Sequence, residues 1–153
     1  MKVTKEFIFD MSHMLSGHPG LCKNVHGHTY KLQVTVKDMG NLGQDGMVVD
    51  FKDLKNVVNG LIVDECDHAF MYNRQSEENA EHDVATALLN HNKKVVSVNF
   101  RPTAENMVHW MFSKLLHDSD LHVQKIRLYE TPTSYAEATL DDLAGVDLDA
   151  YTD

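Results

Sequence analysis

The chain has 153 residues, of which 42% are hydrophobic and 24% charged, with a formal net charge of -9. That length suits one domain with a substantial core, and the negative charge argues against nucleic acid or an anionic membrane as the main partner. No stretch approaches the roughly 20 apolar residues of a membrane helix. The opening MKVTKEFIFD lacks the apolar core of a secretion signal, so the cytoplasm is the expected compartment and both cysteines are expected as reduced thiols.

The first strand-like run is KVTKEFIFDMS, residues 2–12, with Phe7 and Phe9 on one side and Ile8 on the other. His13 follows it directly. Gly17, Pro19 and Gly20 mark a loop that carries Cys22 toward the next strand. From His26, the residues Tyr30, Leu32, Val34 and Val36 alternate with Thr29, Lys31, Gln33 and Thr35, the pattern of a half-buried antiparallel strand. Residues 38–46 hold three glycines and read as a turn or long hairpin loop, after which Met47–Val49 is expected to touch the sheet briefly.

Phe51, Leu54, Val57, Val58, Leu61 and Ile62 recur at helical spacing, with Asp50 as N-cap. This helix should end near residues 64–66 and deliver Asp67-His68 at its exit. Residues 74–94 are polar and read as a peripheral excursion with a short helix around 84–89. Val95–Phe100 is strand-like. Thr103 is a good N-cap for a second amphipathic helix through Met107, Trp110, Met111 and Leu115, with Glu105 in its first turn, where the helix dipole favours a carboxylate. Period two returns with Ile126, Leu128 and Glu130, and residues 134–140 suit a hairpin partner. The order predicts an α+β fold, an antiparallel sheet with two helices on one face. Residues 1–140 form the expected domain. Residues 141–153 hold five aspartates and no Lys or Arg, and are expected as a flexible acidic tail.

Ten histidines are many for this length. On a strand, residues i and i+2 share a face, so His26 and His28 can converge on one ion, and His13 at the end of the neighbouring strand is the candidate third ligand. Three imidazoles suit zinc with one tetrahedral position open. The alternative is three unrelated histidines near a sheet edge. If Cys22 also ligates, the site is closed and structural; if it stands off, it is a thiol near a cation, suited to act as base or nucleophile. Asp67-His68 could be an imidazole oriented by a carboxylate, or simply a solvated pair at a helix end. Cys66 reads as a packed small hydrophobe. Parity puts Glu130 on the apolar face, where a carboxylate needs a partner such as a planar N–H pair; if the strand has ended there, Glu130 is exposed instead. Thr103 and Glu105 are accounted for by capping. GxGxxG, Walker A and GxSxG motifs are absent.

In order along the chain stand a loose FxxxHxL (residues 9–15), CxxxHGHxY (22–30), GMVxDFxxLK (46–55), DHxxxxN (67–73), PTAEN (102–106) and Glu130-Thr131. This series resembles the 6-pyruvoyltetrahydropterin synthase / 6-carboxytetrahydropterin synthase family, over nearly the whole chain apart from about residues 74–98 and the acidic end. The resemblance implies a tunnelling fold (T-fold), with a four-stranded antiparallel sheet and two helices, assembled into a homohexamer with active sites at subunit interfaces. It implies zinc on His13, His26 and His28, a catalytic set of Cys22, Asp67 and His68, and a pterin ring anchored by Glu130 with Thr103 and Glu105 nearby. The implied substrate is 7,8-dihydroneopterin triphosphate. The three-residue gap in CxxxHGH is similar to that of the carboxy-forming bacterial members, which serve queuosine and other 7-deazaguanine pathways. Pyruvoyl-forming and side-chain-cleaving relatives are the nearest alternatives, and a non-catalytic structural zinc domain is a remote one. Met11-Ser12 before His13, Cys66 before Asp67 and the long 74–98 excursion depart from the family pattern.

Overall fold

A computed structural model describes residues 1–40 and 42–152. Strand β1 (Lys2–His13) pairs antiparallel with β2 (His26–Lys37) along its full length, from Lys2 opposite Lys37 to His13 opposite His26. Strand β2 continues to β5 (Val123–Thr131), and β5 to β6 (Ser134–Thr139), both antiparallel. On the other side of β1, β3 (Ala69–Asn73) and β4 (Val95–Val98) add in parallel. The order is β4-β3-β1-β2-β5-β6. The sheet is therefore mixed and six-stranded, not antiparallel and four-stranded. Strand β4 falls within the strand-like run expected at Val95–Phe100, whereas β3, five residues long, is too short for an alternation to register. Met47–Val49 forms no strand; Val48 and Val49 instead pack against the core after the turn at Gly46, whose φ is +74°.

Helix α1 (Phe51–Val58) starts as expected on Asp50, whose carboxylate accepts from Lys52 N at 2.7 Å. It passes through a π-helical stretch, Asn59–Val63, and closes in the short turn α2 (Asp64–Cys66). Leu54, Val58, Ile62 and Cys66 fall on its buried side. Helix α4 (Ala104–Asp118) buries Met107, Val108, Trp110, Met111, Phe112 and Leu115. These two helical segments share one core with Phe7, Phe9, Tyr30, Leu32, Ile126 and Leu128 of the sheet.

Between β3 and β4 lies α3 (Asn79–Asn90), twelve residues where a short turn of helix was expected. Its Ala85 packs with Met14 and Phe70, flanked by Val84, Leu88 and Val95, in a second apolar cluster. Met71 belongs to the main core while Phe70 belongs to this cluster. Because neighbouring side chains of a strand point to opposite faces, α3 covers the reverse face of the sheet at its β3 end. The expectation of helices on one face holds for α1 and α4 only.

The acidic segment folds back on the body. Thr139 and Asp142 form a reciprocal capping box, Leu143 is buried, and Leu148 and Tyr151 pack against the core. The Tyr151 hydroxyl donates to Asn106 Oδ1 at 2.9 Å, and its ring stands 5.3 Å from that of Phe100. Three apolar side chains among the aspartates supply these contacts. Among the described residues no helix is long and apolar enough to cross a membrane.

Candidate active site

The β1–β2 register sets His13 directly opposite His26, and His28 follows on the same face. Their ring centroids are 4.6, 5.0 and 5.4 Å apart, and one ligand nitrogen from each lies within 4.8 Å of the other two. Gly27 lets the strands meet this closely, since a Cβ there would stand 3.0 Å from the Met11 carbonyl oxygen. His13 Nδ1 donates to Pro102 O and His26 Nδ1 donates to Asn24 O, each at 2.8 Å. A neutral imidazole that donates from Nδ1 keeps a lone pair on Nε2. The two Nε2 atoms face each other at 3.1 Å.

Two such lone pairs repel unless something electrophilic lies between them. Ligands about 2.0–2.1 Å from a tetrahedral zinc are roughly 3.3 Å apart, close to the spacing seen. His28 Nε2 is buried with no hydrogen-bond partner, its nearest carboxylate oxygen being Glu130 Oε1 at 3.7 Å. The donor set fits a divalent cation. Burial pushes His13 down to about 4, the neighbouring imidazoles adding to the effect against its backbone hydrogen bond. Burial also lowers His28, opposed by Glu130. Both rings are therefore held in the neutral form that ligates metals.

Glu130 lies within β5, half-buried, on the face of Ile126 and Leu128. The ladder runs from Tyr129 opposite Tyr135 to Thr131 opposite Ser134, so Glu130 is the extra residue of a bulge. Bulges re-aim side chains, and here the carboxylate is brought to the edge of the histidine cluster. It also lines a cleft of about 340 Å³ with His18, Arg101, Thr103, Glu105 and Tyr135. Thr103 serves as the expected N-cap, accepting from Asn106 N at 3.4 Å, and Glu105 sits in the first turn of α4.

Asp67 and His68 follow α2. The His68 backbone has φ +63°, an unusual conformation for a residue with a side chain, and its N–H donates to Asp10 O at 2.6 Å. The side chain is turned outward, 76% exposed, with Nδ1 3.0 Å from Asp67 Oδ1. Asp67 Oδ1 also accepts from Asp10 N at 3.0 Å, which holds this carboxyl below the usual range, with His68 contributing. Lys94 Nζ donates to the carbonyls of Asp64 and Asp67, closing the C-terminus of α2. His68 and His28 line a shallow cleft of about 400 Å³ with Asp10, Ser12 and Thr29.

Cys22 sits half-buried in a 3-10 turn, Leu21–Lys23, with its carbonyl accepting from Leu15 N at 2.8 Å. Among the described residues, the metal-ligating cluster comprises the three imidazoles without the Cys22 sulfur. Cys66 is fully buried, and burial pushes its thiol up to about 12. One chain thus brings Glu130 to within 3.7 Å of His28 at the edge of the histidine cluster. It places Asp67-His68 on a different cleft and Cys22 on a loop between β1 and β2. Sequence reading missed Asp10, Lys94, His18, Arg101 and Tyr135. Asp10 alternates with Phe9 and could have been placed on the outer face of β1; the others come together only in three dimensions.

The profile of the 6-pyruvoyl tetrahydropterin synthase family matches residues 2–141, and the chain belongs to that family. Within it, the chain is 49% identical over 140 residues to a 6-carboxy-5,6,7,8-tetrahydropterin synthase of Haemophilus influenzae, covering 89% of this chain and 96% of that one. A protein of the same name from Rickettsia bellii is 31% identical, covering 90% of this chain and 99% of its own length. The fold is shared with 6-pyruvoyl tetrahydropterin synthase of Caenorhabditis elegans at TM-score 0.65 and 22% identity, over 91% of this chain and 94% of that one. It is also shared with an uncharacterized Wolinella succinogenes protein at TM-score 0.72 and 22% identity, covering 92% and 98%.

Proposed function

We propose that this chain is a zinc-dependent carbon–carbon lyase that converts 7,8-dihydroneopterin triphosphate and one water into 6-carboxy-5,6,7,8-tetrahydropterin, acetaldehyde and triphosphate, in 7-deazaguanine (queuosine) synthesis in the cytoplasm. The observation that carries this reading is the three-histidine cluster, with free Nε2 lone pairs beside a carboxylate-bearing cleft, in a chain 49% identical to a protein named for that product. Zinc held by His13, His26 and His28 supplies Lewis acidity toward oxygens of the substrate side chain.

The other steps fall to the chain's own groups. Glu130 accepts a pair of N–H bonds from the pterin edge, which fixes the ring so that its side chain reaches the histidines. Thr103 and Glu105 bound the same cleft. The Cys22 sulfur takes a proton from the side chain, and His68, oriented by Asp67, moves a proton on the opposite side. Asp67 and His68 lie on a separate cleft from Glu130 within one chain, which favours a site completed between subunits. Strands β4 and β6 are the sheet's edges and suit pairing with further copies. The assembly proposed is a homohexamer of single-domain T-fold subunits.

A pyruvoyl-forming reaction is the second reading, favoured by the description of the matched family and by the fold shared with the Caenorhabditis elegans protein. Chromatography of the products made by zinc-loaded protein separates the two. Acetaldehyde with the carboxy product supports the lyase; a pyruvoyl product without acetaldehyde overturns it.

A further inference from the structure

The most deeply buried carboxylate in α3 belongs to Glu81, 1% exposed on the side of the helix that also buries Ala85. Nothing in the site described above uses it. Its Oε1 accepts from Asn73 N at 2.8 Å, at the end of β3, and its Oε2 accepts from the hydroxyl of Ser16. Ser16 belongs to the loop between β1 and β2, the loop that carries Cys22. Beside it, Leu15 N donates to the carbonyl of Cys22 at 2.8 Å, and Leu15 O accepts from His18 N at 3.0 Å and Arg101 Nη2 at 3.4 Å. A short path of hydrogen bonds therefore runs from the end of β3 through Glu81 and Ser16 to the backbone that fixes Cys22.

Packing follows the same path. Met14, at the start of the loop, is buried against Phe70 and Ala85. Further along, Lys23, Asn24 and Val25 face Ala80 and Val84 of α3, and Glu78 just before it, across a cleft of about 440 Å³. The loop thus has a floor of apolar contact at one end and a single carboxylate tether in its middle. A buried carboxylate is costly to desolvate, and that cost is offset only while its hydrogen bonds hold one geometry.

We propose that Glu81 is a positioning residue for Cys22: helix α3 holds the β1–β2 loop through the Glu81–Ser16 hydrogen bond, and so sets where the Cys22 sulfur stands relative to the histidine cluster. The role of Cys22 as a base rests on the function proposed above; the tether itself does not. A misplacement of about 1 Å can cost on the order of a hundredfold in rate.

The test uses zinc-loaded full-length protein and the variants Glu81→Ala, Glu81→Gln and Ser16→Ala. Two readouts are taken: the rate of Cys22 alkylation by iodoacetamide under native conditions, and the split between kcat and KM with dihydroneopterin triphosphate. Cys66 is buried and stays silent in the first. The expected result is alkylation of Cys22 about tenfold faster in Glu81→Ala and Ser16→Ala, with kcat down about tenfold and KM within about twofold. Glu81→Gln, whose single amide oxygen can accept from Asn73 N while its NH2 can only donate to the Ser16 hydroxyl oxygen, should lie between these and the parent. Alkylation at the parent rate in folded, zinc-replete Ser16→Ala and Glu81→Gln would overturn the tether, even where Glu81→Ala lowers Tm or fails to fold. Faster alkylation with kcat unchanged would also overturn the proposal, by showing a loop freed without consequence. Should the parent fail to turn over this substrate at all, the proposed function falls, while the alkylation series still decides whether Glu81 holds the loop.

Discussion

His28 Nε2 is buried with no hydrogen-bond partner, so it gains directly from a cation. His28→Ala should cut bound zinc from about one per chain to well below that, read by metal analysis after dialysis, since an open catalytic-type site needs three protein ligands. Zinc retained at full occupancy in that variant would contradict the ligand set. Gly27→Ala should weaken zinc as well without removing a ligand, because its Cβ would meet the Met11 carbonyl at 3.0 Å and push the strands apart. The two thiols are separable too. Burial raises Cys66 to about 12, so at pH 8 it stays a protonated, inaccessible thiol, and the native protein should consume one equivalent of iodoacetamide per chain. Two equivalents at equal rates would contradict this. The imidazole cluster was legible in the sequence because a period of two and a strand end sufficed to place it. The bulge that aims Glu130 was not, since the slip depends on the register of β6 against β5.

At the scale of elements, helix α4 begins where the Glu130 cleft is built. Thr103 has a capping role whatever it does for substrate: Thr103→Ala should cost about 1 kcal/mol, which lowers Tm by about 2–4 °C at this chain length. Thermal unfolding of the zinc-loaded variant checks it, and an unchanged Tm would remove the capping account. Strands β1, β2 and β5 and helices α1 and α4 were readable because each sustains one periodicity over eight residues or more. Strand β4 was also readable, from the β-branched run at Val95–Phe100, but β3 was not, because a short parallel strand beside a helix lacks alternation. Helix α3 was underestimated for another reason. Its buried side holds Glu81 and Ala85, neither of them a bulky apolar residue, so the pattern looks solvated although the face is covered. The same composition bias made residues 141–153 read as a tail, although among the described residues Leu143, Leu148 and Tyr151 pack against the body and residue 153 lies outside them.

For the whole molecule, the sheet ends in two edge strands, and Ile8, Leu21, Val25 and Tyr135 are exposed apolar side chains. Together with the separation of Asp67-His68 from the Glu130 cleft, this leads us to expect an assembly with a mass six times the 17.4 kDa chain, measured by light scattering. A monomer that turns over substrate would refute shared sites. The central claim is the reaction itself. Zinc-loaded protein incubated with 7,8-dihydroneopterin triphosphate should release one acetaldehyde for each 6-carboxy-5,6,7,8-tetrahydropterin formed. A pyruvoyl product without acetaldehyde, or no turnover with zinc bound, would contradict it.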